Sequence, residues 1–137
     1  MLPTPRMNAL ALRQPWAELL VSGRKTIEVR SKNTTYRGWF CVYASHSGTQ
    51  QEVLYHFGFE RLPTGVIIGK AFLKDVKRYQ TDAEFFRDSA LHLATEKLLR
   101  VEGWTLKEKY GYIITDVRRI TPIPYRGMPG FFPVPDL

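Results

Sequence analysis

The sequence is short of the residues on which several kinds of chemistry depend. It has one cysteine, Cys41, set inside the apolar run GWFCVYAS. A lone thiol excludes an internal disulfide framework and suits a reducing compartment. The three histidines, His46, His56 and His92, are scattered. With no CxxC pair and no HExxH helix, nothing has the spacing of a metal site. Each histidine therefore reads first as structural or exposed; only His46, in ASHSG at a strand end, is kept as a rim candidate. The glycines are too dispersed for a phosphate loop or a dinucleotide fingerprint, and no GxSxG elbow marks a serine nucleophile. No cofactor is expected. No apolar run reaches the roughly 18 residues of a spanning helix, so no membrane association is expected. The segment MLPTPRMNALAL lacks the apolar core and cleavage site of a signal peptide. Repeats, low-complexity tracts and linkers are also missing. The expectation is one cytoplasmic domain over residues 1–137.

What the chain does have is an ordinary globular balance and an excess of positive charge. At 137 residues, 44% hydrophobic and 24% charged, it is long enough to bury a core. Twenty Lys and Arg against 13 Asp and Glu give a net charge of +7. Such a surface attracts polyanions, nucleic acid first among them, although a basic surface can also serve solubility alone.

The pattern along the chain predicts about six strands with helices between them. Residues 8–13 form a short apolar strand. Pro15 suits a first helical turn, and Trp16, Leu19 and Leu20 then make one buried stripe. Gly23 is placed to end that helix in a left-handed conformation. Residues 26–30 alternate, with Ile27 and Val29 facing the core and Glu28 and Arg30 the other side. GWFCVYAS (38–45) is apolar on both faces, as a central strand would be. Thr49 with Glu52, and Thr81 with Glu84, have capping-box spacing. GVIIGKAFLKDVKRY is a long strand in which Gly69 marks a bulge or a close backbone approach. SALHLATEKLL reads as continuing helix, and YGYIITDVRRI as strand. TPIPYRGMPGFFPVP is too rich in proline for a central strand, but GFFPV can close an edge. The expected class is α+β: a small, partly open barrel of mostly antiparallel strands, with two to four flanking helices. Helices do not regularly join successive strands, so a doubly wound sheet does not fit.

Against that background, GRKTIEVRSKNTTYRG (23–38) stands out. It holds Arg24, Lys25, Arg30, Lys32 and Arg37 around a single acid, Glu28. Exposed, Lys25 and Glu28 would form an ion pair worth under about 1 kcal/mol. In a concave site the same residues gain chemistry. A desolvated lysine can act as base or nucleophile, and the planar fork of Arg30 suits a phosphate or a base edge. Among the aromatics, Trp16 and Trp39 read as core. Trp104, in a loop, is free to stack on a base or to anchor the surrounding segment. Arg118, Arg119 and Arg126 near Tyr125 form a second basic group.

Gly23, Lys25, Glu28 and Arg30 also match GxKxxExR, and with ALRQPWAELLVSGRKTIEVRS, YRGWFCVYAS, GVIIGKAFLKDV, YGYIITDVRRITPIP and RGMPGFF the chain resembles the ASCH (activating signal cointegrator homology) family. The resemblance covers most of the chain outside a helical insert at about 80–104. It implies a PUA-like pseudo-barrel with a cleft beside the first helix that binds RNA or other single-stranded nucleic acid, or a nucleoside. Carried across, the cleft would hold Lys25, Glu28 and Arg30. Arg13, Gln14 and Trp16 would lie at the helix entry, Ser45 and His46 at a neighbouring strand end, and Ser31 and Arg37 along the same basic stretch. One branch of the family hydrolyses N4-acetylcytidine with a lysine in the position of Lys25, a threonine where this chain has Glu28, and a downstream glutamate, to which Glu102 would correspond. Other members are described as ribonucleases. Three functions therefore stand: a nucleic-acid-binding domain, a small hydrolase using Lys25 and Glu28, and a protein adaptor acting through the insert. Oligomeric state is not legible.

Overall fold

A computed structural model describes residues 6–104 and 108–135; the first five residues of the segment read for a leader lie outside them. The chain runs β1 (Arg6–Leu12), α1 (Trp16–Val21), β2 (Ile27–Arg30), β3 (Gly38–Ala44), α2 (Gln51–His56), β4 (Val66–Tyr79), α3 (Asp82–Arg87), α4 (Ser89–His92), α5 (Glu96–Glu102), β5 (Lys109–Pro124) and β6 (Phe131–Pro135). The six strands form one mixed sheet in the order β2-β5-β4-β3-β1-β6. Every neighbouring pair is antiparallel except β1 with β3. The α+β class and the strand number agree with the sequence. The sheet, however, is not closed into a barrel: β2 and β6 stand at its two ends.

The central position of β3 explains why it is apolar on both faces. Phe40, Val42 and Ala44 pack into the larger core with Leu19, Leu20 and Val21 of α1. Cys41 and Tyr43 point the other way, onto Ala9, Ile67, Phe132 and Val134. Gly69 has both roles foreseen for it. The β4–β5 register shifts between Ile67 and Gly69, and a Cβ there would lie 2.6 Å from the Arg118 carbonyl oxygen.

Three local expectations change. The run SALHLATEKLL is not one helix: Leu93 turns left-handed at φ 62°, and Thr95 caps α5 by accepting from the Leu98 N–H at 3.3 Å. The insert therefore folds as three short helices, for five in all among the described residues. Thr81 does cap α3, accepting from the Glu84 N–H at 3.1 Å. Thr49 does not cap α2, because that helix starts after Gln50; its hydroxyl is buried without a partner among the described residues. Finally, β5 continues through Thr121-Pro122-Ile123-Pro124. Its neighbour β2 pairs only with residues 110–113, so the proline-bearing half is an edge, where a missing N–H costs no ladder bond.

A candidate nucleic-acid cleft

The end of α1 sets the first site residue. Gly23 takes φ 81°, the chain reverses, and the Lys25 N–H donates to the Leu19 carbonyl at 3.0 Å. This hook turns the Lys25 side chain inward beneath β2, where it is only 4% exposed. Its ammonium lies 2.6 Å from Glu28 Oε1 and 4.6 Å from the centre of the Trp16 ring. Alternation does put Glu28 and Arg30 on one face of β2, but that face is not solvated at Glu28, which is itself 4% exposed.

Arg30 completes the cluster. Its Nη1 donates to Glu28 Oε2 at 3.2 Å and to the Ala11 carbonyl at 3.0 Å. Both carboxylate oxygens of Glu28 are thus bonded to cations. Burial by itself would raise the Glu28 pKa, yet the adjacent Lys25 and Arg30 charges and their hydrogen bonds outweigh it and hold the carboxyl below its usual range. Among the described residues, both Arg30 bonds leave from Nη1, and Nη2 has no protein partner.

Above this cluster opens a cleft of about 510 Å³, within the size range of small-ligand sites. Arg13, Trp16, Glu28, Arg30, Ser31, Ser45 and His46 line it together. Lys25, Gln14, Glu102 and Arg37 do not. Lys25 is sealed behind Glu28. Gln14 is a buried brace, donating to the Pro63 carbonyl at 3.0 Å and accepting from the Glu18 N–H at 3.0 Å. Glu102 stands behind the wall: its Oε1 accepts from Trp16 Nε1 at 2.7 Å, and its Oε2 is 3.5 Å from Arg13. Arg37 is spent elsewhere, on the Thr34 and Tyr36 carbonyls and on Asp75.

Two parts of the wall were not anticipated as site residues. Tyr43 lines the cleft, and its place two residues before Ser45 on one strand is the signal that could have found it. The other is the turn Gly127-Met128-Pro129-Gly130, drawn against β1 by the Ala11 N–H donating to the Gly130 carbonyl at 3.1 Å. Trp104 also lines the cleft while packing on the cluster of Val29, Tyr79, Phe85 and Ala94, so it anchors the surrounding segment. Arg118, Arg119 and Arg126 do not act together. Arg118 sits 5.0 Å over the Trp39 ring, and Arg119 pairs with Glu18. Among the described residues no group of three or more His, Cys, Asp or Glu converges as metal ligands would, and no helix is long and apolar enough to cross a membrane.

The ASCH domain model matches residues 10–124. The chain belongs to the ASCH family. No curated protein matches it in sequence. Among solved structures, ASCH from Zymomonas mobilis aligns with a TM-score of 0.63 at 18% identity, over 85% of this chain and 72% of that one. A serine-to-alanine mutant of the protein from the same organism aligns with a TM-score of 0.68 at 16% identity, over 96% of this chain and 89% of that one. At such identities these structures establish the common fold: an ASCH domain, PUA-like in architecture.

Proposed function

We propose that this ASCH domain binds RNA, or a nucleotide derived from it, in the cleft over Glu28 and Arg30. The observation that carries the reading is the state of Arg30. One face of its guanidinium edge is fixed by Glu28 and Ala11, while Nη2 lacks a partner among the described residues, beside a cleft walled by Trp16, Tyr43 and Trp104. An oriented cation beside aromatic rings is what a phosphate or base edge and a stacked base require. Lys25 acts through Glu28 as a positioning residue, and Arg13 adds a second cation at the rim, with a side chain 43% exposed.

The same geometry weighs against a hydrolase in which Glu28 shuttles protons. A carboxylate bonded to two cations and held below its usual range has no proton to give near neutral pH. At the end of the insert, on which the adaptor reading rests, Trp104 is part of the cleft wall.

The test is a titration of the intact chain with short single-stranded RNA and DNA at two salt concentrations. Release of condensed counterions predicts affinity falling steeply as salt rises. Arg30→Ala is expected to cost about 1.5–3 kcal/mol, the range for a hydrogen bond to a charged group. Absence of binding at low salt, or an Arg30→Ala variant that binds like the wild type, overturns the proposal.

A further inference from the structure

Resting on the cleft reading, we infer that the ligand spans at least two nucleotides, and that a second hollow beside the cleft takes the phosphate and sugar of the neighbouring one. This hollow, about 550 Å³ in volume, shares Tyr43, His46 and Gly127 with the cleft and adds Pro124, Tyr125 and Arg126. The two therefore adjoin, and the shared residues form the saddle between them.

The saddle is kept low by two glycines. A Cβ at Gly127 would lie 2.2 Å from the Tyr43 ring, and one at Gly65 would lie 2.2 Å from His46 Nε2. Each ring rests directly on backbone, where any side chain would push it up into the passage. His46 Nδ1 lies 3.2 Å from the Thr64 hydroxyl, so both ring nitrogens abut the 64–65 turn. What His46 offers the passage is ring surface, suited to a base or ribose rather than to proton transfer. Tyr125 is fixed by stacking on Phe132.

Arg126 supplies the charge. It is exposed and, among the described residues, makes no ion pair or hydrogen bond, whereas Arg118 and Arg119 are occupied by Trp39 and Glu18. A guanidinium without a partner among the described residues, beside ring surfaces and adjoining a site for one nucleotide, fits the next unit of a single strand.

The experiment compares the four ribonucleoside 5′-monophosphates with the 5′-phosphorylated dinucleotides pApA, pCpC, pGpG and pUpU, on wild type, Arg126→Ala and Arg30→Ala. The readout is the ratio of dinucleotide to mononucleotide affinity. We expect the best dinucleotide to bind about tenfold tighter than its mononucleotide, toward the lower end of what a hydrogen bond to a charged group contributes. That ratio should collapse toward one in Arg126→Ala and persist in Arg30→Ala, where both affinities fall. Mononucleotide binding that depends on Arg30 without any dinucleotide gain overturns this inference alone. A ratio that survives Arg126→Ala does the same. No binding of any of the eight compounds overturns both proposals.

Discussion

Two acid–base clusters of similar geometry lie in this domain, and they do different things. In the cleft wall, Glu28 accepts from Lys25 at 2.6 Å and from Arg30 at 3.2 Å. Under the insert, Asp88 accepts from Lys77 at 2.8 Å and from the Tyr79 hydroxyl at 2.6 Å. Both carboxyls sit below their usual range. For Asp88 the hydrogen bonds from Lys77 and Tyr79 are the main cause, whereas Glu28 gets there against a large burial penalty. The second cluster pins the α3–α4 corner to β4, and none of its three residues lines the cleft. Both of its bonds fall on Oδ2 of Asp88. The first keeps Nη2 of Arg30 without a partner among the described residues, beside a hollow. A strong acid–base network is therefore a poor marker of function by itself. Spare bonding capacity directed at open space is the better one.

The largest expected effect breaks the first cluster. Glu28→Ala leaves the Lys25 ammonium buried without its counter-ion, which costs on the order of 3–5 kcal/mol. Urea unfolding should show it as a lower midpoint. The double change Lys25→Met with Glu28→Leu removes both charges, and replacing a buried pair by apolar residues is often neutral or stabilising. Its unfolding free energy should return to the wild-type level or above. Nucleotide affinity should stay low, because Arg30 has lost the carboxylate that orients it. If the double variant recovers affinity along with stability, the cluster is structural like the one around Asp88.

Much of this contrast was legible in the sequence, and what was not has a physical reason. The period-two alternation of β2 identified Glu28 and Arg30 as partners on one face. It could not give the setting of Glu28, because the cleft that it lines is walled also by the 127–130 turn and by Trp104, both far away in the chain. Lys25 was singled out, yet its burial goes with a backbone hydrogen bond to Leu19, which no periodicity encodes. The basic stretch did not separate Arg30 from Arg37, since each is an arginine followed by a small residue near a turn. The Asp88 cluster went unread entirely: Lys77 and Tyr79 meet Asp88 only because the insert breaks into short helices. SALHLATEKLL hides that break, as its left-handed residue is Leu93 rather than glycine.

A smaller effect separates the clusters by pH. His92 is fully buried beside the insert cluster. Its Nε2 is 2.8 Å from the Phe85 carbonyl, and its Nδ1 accepts from the Ala94 N–H at 3.0 Å, which is the pattern of a neutral ring. Burial, first, and the nearby Lys25 and Lys77 charges push its pKa below the ordinary 6.5, against the Phe85 carbonyl and Asp88. The unfolded chain then takes up this proton at a higher pH than the folded one. Between those two values the unfolded state binds more protons, so stability falls as the solution is acidified from pH 7. Glu28 works in the same direction but later: its depressed pKa supports the fold above about pH 4.3, and that support is lost only in stronger acid. Acidifying from pH 7 to 5 should therefore loosen the insert and leave the cleft cluster charged. His92→Gln should flatten the pH dependence of the unfolding free energy over that interval. An unchanged slope would assign the titration elsewhere.

The smallest expected effect is the sharpest test of what makes an arginine functional here. Arg37 and Arg30 lie on the same basic stretch, and Arg37 is the more accessible, with its side chain 41% exposed against 25%. Accessibility alone would favour Arg37 as the nucleic-acid contact. Its guanidinium, however, is already held by the Thr34 and Tyr36 carbonyls and by an exposed Asp75 at 3.4 Å. Such a pair contributes only about 0–1 kcal/mol. Arg37→Ala should thus change the unfolding free energy by no more than about 0.5 kcal/mol and leave the affinity for short RNA close to wild type. It removes the same charge as Arg30→Ala, so general electrostatic attraction falls equally in both variants. A large difference between the two in direct titration then measures the value of an oriented donor beside the cleft. Equal losses would mean that net charge, and not the Glu28-held geometry, drives binding.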